Sequence, residues 1–89
     1  MDVKKAVDIA KSYIIDLFKD EELSNLGLEE VELDETNEWY VTLGFSRPWD
    51  KPNTAVAVLA GGTHRSYKTV RISDQSGAVL SVKTREVKT

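Results

Sequence analysis

A chain of 89 residues with no cysteine and one histidine has room for a single small core and offers few groups for redox or metal chemistry. Its net charge of −3 disfavours nucleic acid as a partner, because phosphate neutralisation supplies most of the affinity of nucleic-acid-binding proteins. We therefore expect one domain over residues 1–89, with no cofactor, no metal ion and no catalytic residue.

The first residues are charged and run directly into a helical pattern. They lack the apolar stretch and the small-residue cleavage site that a secretory signal requires. The longest apolar run, residues 55–60, is far shorter than the ~20 residues that span a bilayer. These features predict a cytoplasmic protein that does not enter a membrane.

Residues 3–18 contain the clearest periodic signal, with apolar side chains at three- and four-residue steps, and the predicted helix covers about residues 3–19. This stripe consists of Val3, Ala6, Val7, Ala10, Tyr13, Ile14, Leu17 and Phe18. It predicts an amphipathic helix with Asp2 as its N-cap. Ile9 and Ile15 lie beside the stripe, and they either widen the buried face or contact a partner. Residues 20–27 are typical of a helix end followed by a loop.

From Leu28 onward the apolar period changes to two, which predicts antiparallel strands. The predicted strands cover residues 28–34, 38–46, 65–74 and 78–87. Residues 35–37 form the first predicted turn, and Gly77 provides the positive φ of the last turn. We expect Trp39 in the core, and we expect Leu80 and Val82 to point inward.

The two halves of the sequence carry opposite charge. Residues 1–46 hold 12 acidic and 4 basic side chains, whereas residues 47–89 hold 3 acidic and 8 basic ones. Either the halves attract one another through cross-strand pairs, or the second half presents a basic face to an acidic partner. The acidic cluster within residues 29–35 lacks the spacing of a calcium loop, so we interpret it as a solvated strand edge.

The connection between the second and third predicted strands, residues 47–64, is long for so small a domain. Long loops without a structural role are often functional, and tryptophan and arginine dominate the hot spots of protein interfaces. Trp49 either anchors such an interface or covers the end of the core. The glycine pair before His64 is a weak match to an anion-binding loop. The candidate binding residues are Arg47, Pro48, Trp49, His64 and Arg65.

In the last third of the chain, a strand ends in an aspartate, turns through a glycine and continues with Val-Leu. The residues of this pattern are Tyr67, Val70, Ile72, Asp74, Gly77, Val79 and Leu80. The pattern resembles the closing hairpin of PepSY-type domains. The resemblance implies a cystatin-like helix on a four-stranded antiparallel sheet and a family often associated with binding or inhibiting peptidases. No functional residue is transferred, because the matching positions are turn and core positions.

Together these observations predict an α+β fold, with one N-terminal amphipathic helix packed on a four-stranded antiparallel sheet. The predicted function is a non-enzymatic protein-interaction module, an inhibitor or immunity-type partner, that binds another protein through residues 47–64 and the adjacent sheet edge. Two alternatives stay open. One is a small-ligand or anion carrier with His64 at the mouth of its site, and the other is a self-associating structural protein whose edges pair as a homodimer.

Overall fold

A computed structural model describes residues 1–47 and 65–85 of the chain. These residues form α1 (Val3–Leu17), β1 (Ser24–Leu33), β2 (Glu38–Ser46), β3 (Ser66–Ser73) and β4 (Val79–Thr84). The strands make one antiparallel sheet in the order β1-β2-β3-β4, and α1 packs on one face of it. We call the face under α1 the inner face and the opposite one the outer face. The predicted α+β fold is confirmed.

The helix begins where the sequence predicts. The Asp2 carboxylate accepts a hydrogen bond from the backbone N–H of Lys5 at 2.8 Å, which confirms the N-cap and satisfies one of the unpaired donors of the first turn. The helix ends at Leu17, two residues before the predicted end. There the backbone N–H of Phe18 still donates to the carbonyl of Ile14 at 3.0 Å.

The buried part of the helix is narrower than the predicted stripe. Only Ala6, Ala10 and Ile14 are buried, whereas Tyr13 and Leu17 are 41% and 51% exposed. The two alanines have small side chains, which allows the helix axis to lie close to the central part of the sheet. The margins of the stripe therefore extend past the covered area and remain in contact with water.

The core lies between α1 and the inner face, and β2 supplies its centre. Its buried residues are Ala6, Ala10, Ile14, Trp39, Val41, Leu43, Phe45, Val70 and Ile72. Trp39 is buried as predicted, and its indole N–H donates to the Asp74 carboxylate at 2.8 Å. This hydrogen bond allows an indole to be buried without leaving its polar atom unsatisfied.

The structure corrects the beginning of the first strand. Residues 24–27, expected in a loop, belong to β1, where Ser24 lies opposite Ser46 and Gly27 lies opposite Gly44. An irregularity between these two pairs accommodates the loop-like sequence, and Asn25 takes a φ of 56° there. Asparagine tolerates this left-handed conformation better than most residues. Pairing with β2 extends the strand beyond the alternating pattern.

Both predicted turns are confirmed. In the β1–β2 turn, the Asp34 carboxylate accepts hydrogen bonds from the backbone N–H groups of Thr36 and Glu38 at 2.9 and 3.1 Å. Asn37 in this turn has a φ of 60°. Gly77 in the β3–β4 turn has a φ of 73°, a conformation that favours glycine.

The inward direction predicted for Leu80 is wrong. Ser81 lies opposite Arg71 and Val79 lies opposite Ile72, so Leu80 is the extra residue of a β-bulge. Val79 and Val82 pack against the core, whereas Leu80 is exposed. An inserted residue reverses the inward and outward alternation, and the period of the sequence does not reveal where this insertion occurs.

Candidate functional site

The outer face of the sheet is polar, and its charges are sorted by strand. Across one row, Glu30 lies opposite Thr42, Thr42 opposite Thr69, and Thr69 opposite Lys83. The next row runs in the same way from Glu32 through Tyr40 and Arg71 to Ser81. The carboxylates of this face are therefore concentrated along β1, and the cations along β3 and β4.

Among the residues that the structure describes, three ion pairs cross this face. They are Arg65–Glu29 at 3.6 Å, Arg71–Glu38 at 3.1 Å and Arg85–Glu30 at 3.0 Å. Each pair joins the acidic first half of the sequence to the basic second half. This confirms the interpretation that the opposite charges attract one another within the fold. Since the side chains remain partly exposed, each pair adds less than about 1 kcal/mol to the free energy of unfolding.

Gly44 allows the side chains of this network to lie directly over β2. A Cβ atom at this position would be 2.8 Å from Nη2 of Arg65 and from Oε1 of Glu29, and 3.1 Å from Cε1 of Tyr67. Arg65 Nη2 also donates to the carbonyl of Asn25 at 2.9 Å. Arg65 thereby ties the irregular start of β1 to the beginning of β3.

A shallow depression of about 250 Å³ lies in the middle of the outer face. It is lined by Glu29, Glu30, Thr42, Tyr67 and Arg85. Arg85 donates to Thr42 Oγ1 at 3.2 Å and to Glu30 at 3.0 Å, so its guanidinium is engaged within the protein. Small-molecule sites usually have at least ~300 Å³ of concave, mostly apolar space. This depression therefore lacks the size and the apolar lining expected for such a site.

On the inner face, α1 leaves a seam open along β1. Near the start of the helix, a depression of about 310 Å³ is lined by Val3, Val7 and Leu28, with Lys4 and Asp8 at its rim. A second depression of about 470 Å³ lies along the same seam. Its lining residues are Ile15, Phe18, Lys19, Glu21, Glu22, Leu23 and Leu26. We call the two depressions together the α1–β1 groove.

The two isoleucines beside the predicted stripe have different positions. Ile9 packs against the core and widens the buried face, which was one of the two alternatives. Ile15 is 56% exposed and lines the α1–β1 groove. Ile15 is thus an apolar residue that the core does not use.

β1 forms an edge of the sheet, as interpreted from its acidic residues. Within residues 1–47 and 65–85, its only neighbouring strand is β2. An edge strand directs alternate backbone N–H and C=O groups away from the sheet, where another extended segment can pair with them. The α1–β1 groove runs beside this edge, so apolar side chains and backbone hydrogen-bonding groups are available together.

The two candidate residues that the structure describes, Arg47 and Arg65, lie on opposite faces of the sheet. Arg47 lies at the end of the inner face, with its guanidinium carbon 4.8 Å from the ring centre of Phe18 and 5.5 Å from that of Phe45. Arg65 lies on the outer face, beside Glu29. Pro48, Trp49 and His64 lie outside the described residues.

Near Arg47, the inner face also carries a basic residue. Lys68 lies opposite Leu43, and its Nζ donates to Thr84 Oγ1 at 2.6 Å. Partial burial lowers the pKa of Lys68, the charge of Arg47 lowers it further, and Glu21 raises it. The position of Lys68 on the inner face follows from the pairing of β2 with β3, which places it opposite Leu43.

Two aspartates with lowered pKa values lie at the other end of the sheet. The pKa of Asp74 is lowered by the hydrogen bond from the Trp39 indole and by that from the amino group of Met1, which lies 3.1 Å away. The pKa of Asp34 is lowered chiefly by the hydroxyl of Thr36, which donates to it at 2.7 Å. The Asp34 carboxylate stabilises the β1–β2 turn, whereas the Asp74 carboxylate binds the Trp39 indole and the N-terminus, and neither residue lines a groove described above.

In the parts of the chain that the structure describes, no three histidine, cysteine, aspartate or glutamate side chains are grouped to hold a metal ion. No helix in those parts has the length and apolar character needed to cross a bilayer. Comparison with known protein families, with curated proteins and with solved structures finds no match to this chain. Function is therefore inferred from geometry alone.

Proposed function

We propose that this chain is a non-enzymatic protein-interaction module that binds an extended segment of a partner protein along β1. The observation that supports it is the juxtaposition of an apolar groove with a strand edge. Strand addition uses these two features, because the edge supplies backbone hydrogen bonds and the groove accepts alternate side chains. An inhibitor or immunity-type protein is one form of such a module.

The exposed apolar side chains along the groove support this proposal. Val3 and Leu28 are each 44% exposed on the same seam, and Ile15 lies farther along it. In a chain this small, clustered exposed apolar groups are costly in water and typically mark a site of interaction. Residues 47–64 stay a second predicted contact surface, with Trp49 as its proposed anchor.

Leu28 and Leu80 allow a matched test because both are leucines in edge strands and both are 44% exposed. Leu28 lines the α1–β1 groove, whereas Leu80 lies in β4, at the opposite edge of the described sheet. In the experiment, photoreactive benzoylphenylalanine replaces Leu28 in one variant and Leu80 in another. Each variant is expressed in its native cell and irradiated, and the adducts are identified by mass spectrometry.

We expect a defined protein adduct from position 28 and none from position 80. The adduct should disappear when Val3→Asp is added to the position-28 variant, provided that circular dichroism shows an unchanged fold. Equal labelling from both positions, or no adduct from position 28, would contradict the proposal. The same experiment with Trp49→Ala tests the second surface, since loss of the adduct would show that residues 47–64 contribute to binding.

A further inference from the structure

The chemistry of the bound segment follows from the side chains on the two faces of β1. This inference rests on the proposed function. We propose that the partner segment alternates apolar with basic residues, placing the apolar ones on the inner face and the basic ones on the outer face.

The inner face of β1 is apolar. Leu28 lies opposite Leu43, Val31 opposite Val41, and Leu33 opposite Trp39, so these three β1 residues share the side of the sheet that faces α1. Leu28 and Leu33 remain more than two-fifths exposed, because the helix covers mainly the centre of the sheet. An added strand would place alternate side chains next to these residues, and apolar ones would remove them from water.

The outer face of β1 is acidic. Glu30 and Glu32 occupy consecutive outer rows, and Glu29, the extra residue of a bulge, also reaches this face beside Gly44. Glu29 and Glu30 pair with arginines yet keep 42% and 51% of their side chains exposed. Since a carboxylate accepts several hydrogen bonds, each can still bind a cation from the edge side. Directly opposed unlike charges stabilise a strand pair and like charges destabilise it.

A second copy of the chain is the competing occupant. In β4, Lys83 lies opposite Thr69 on the outer face, and Val82 lies opposite Val70 on the inner face. At these two positions β4 has the alternation of basic and apolar residues that is proposed for the partner segment. However, β4 has only 6 residues and is interrupted by the bulge at Leu80, which hinders edge pairing. Copies also repel one another through their net charge of −3. A two-fold β1–β1 contact would oppose carboxylates to carboxylates. We therefore assign the edge to a segment of a different protein.

The test uses two fluorescent peptides of about eight residues, the length of an ordinary strand, one alternating valine with lysine and the other alternating valine with glutamate. Their binding to the full chain is measured by fluorescence anisotropy. We expect the valine–lysine peptide to bind about tenfold more tightly, since several attractive cross-strand pairs replace repulsive ones. The preference should shrink in about 0.5 M salt, which screens exposed charges.

Three variants locate the effect. Glu30→Lys combined with Glu32→Lys should reverse the peptide preference, whereas Leu28→Ser should weaken both peptides. Asp16→Lys changes an exposed carboxylate of α1 that lines neither depression of the α1–β1 groove, and it serves as the control that should leave the preference unchanged. Two further valine–lysine peptides are methylated on alternate backbone nitrogens, one on the valines and the other on the lysines. One of them should bind at least tenfold more weakly than the unmethylated peptide, because its methyl groups replace the N–H donors that pair with the edge.

The outcomes separate this inference from the proposed function. Equal binding of the two peptides would overturn the charge assignment while leaving strand addition intact. Binding of neither peptide would also overturn it, and the adduct at position 28 would then decide independently whether β1 contacts a partner. Concentration-dependent self-association that Lys83→Glu abolishes, measured by sedimentation velocity, would overturn it in favour of a second copy.

Discussion

The two faces of the sheet are built from alternate residues of the same strands, yet they have different physical roles. In β2, Val41, Leu43 and Phe45 point toward α1 and form the centre of the core, whereas Thr42 and Gly44 between them support the charged network. The inner face derives its stability from the removal of apolar surface from water. The outer face carries charged side chains, and the ion pairs among them contribute little to the free energy of unfolding. Charged residues of the outer face can therefore be replaced without unfolding the protein.

The largest expected effect comes from the inner face. Leu43→Ala removes a fully buried side chain between α1 and the sheet and should lower the free energy of unfolding by about 3 kcal/mol, from lost burial and the cavity left behind. Its outer-face control is Thr42→Val, which removes the hydroxyl bonded to Thr69 at 3.0 Å and should cost about 1 kcal/mol. Urea unfolding measures both. Equal losses would contradict the separation of roles.

The Trp39–Asp74 hydrogen bond connects the inner face to acid stability. The pKa of Asp74 is lowered in the fold from its ordinary value of 3.8, so its contribution is complete above that value and is lost as the pH falls through the lowered pKa. Asp74→Asn should reduce stability near neutral pH. The difference from the original chain should shrink as the pH is lowered below about 4. Urea unfolding at several pH values measures this, and a difference independent of pH would contradict it.

Lys68 should give a smaller effect in alkali, where stability again rises with pH. Its folded pKa lies below the ordinary value of 10.5, so folding releases a proton between these two values. Stability should therefore rise with pH through the lowered pKa and level off above 10.5, relative to a chain without this amine. Lys68→Met should remove that rise. An identical alkaline profile in both chains would show that Lys68 is as solvated when folded as when unfolded.

The smallest expected effect lies in the ion pairs of the outer face. A double-mutant cycle with Glu30→Gln and Arg85→Gln should give a coupling energy between about 0.2 and 1 kcal/mol, because both side chains are about half exposed. Salt at about 0.5 M should reduce the coupling further. A coupling well above 1 kcal/mol would mean that the outer network is a second source of stability, and the contrast between the faces would weaken.

The sequence by itself determined the type and order of the elements in the described region, and the inward or outward direction of most of their side chains. The helical period of residues 3–18, the alternation from Trp39 to Phe45 and the turn at Gly77 are local patterns that depend on residue type and spacing. The opposite charges of the two halves also indicated cross-strand pairing, which Glu30 and Arg85 now show. The role of Pro48, Trp49 and His64 stays a prediction, because these residues lie outside the described ranges.

Only the tertiary structure decided which apolar residues remain in water and where the strands lose their regular register. Val3, Ile15 and Leu28 are as apolar as the core residues, and their exposure depends on how much of the sheet one helix covers. The early start of β1 and the outward turn of Leu80 depend on pairing with β2 and β3. Contacts between distant segments set these features, and a local pattern contains no information about the partner strand. The proposed binding edge therefore became recognisable only when α1 and β1 were placed side by side.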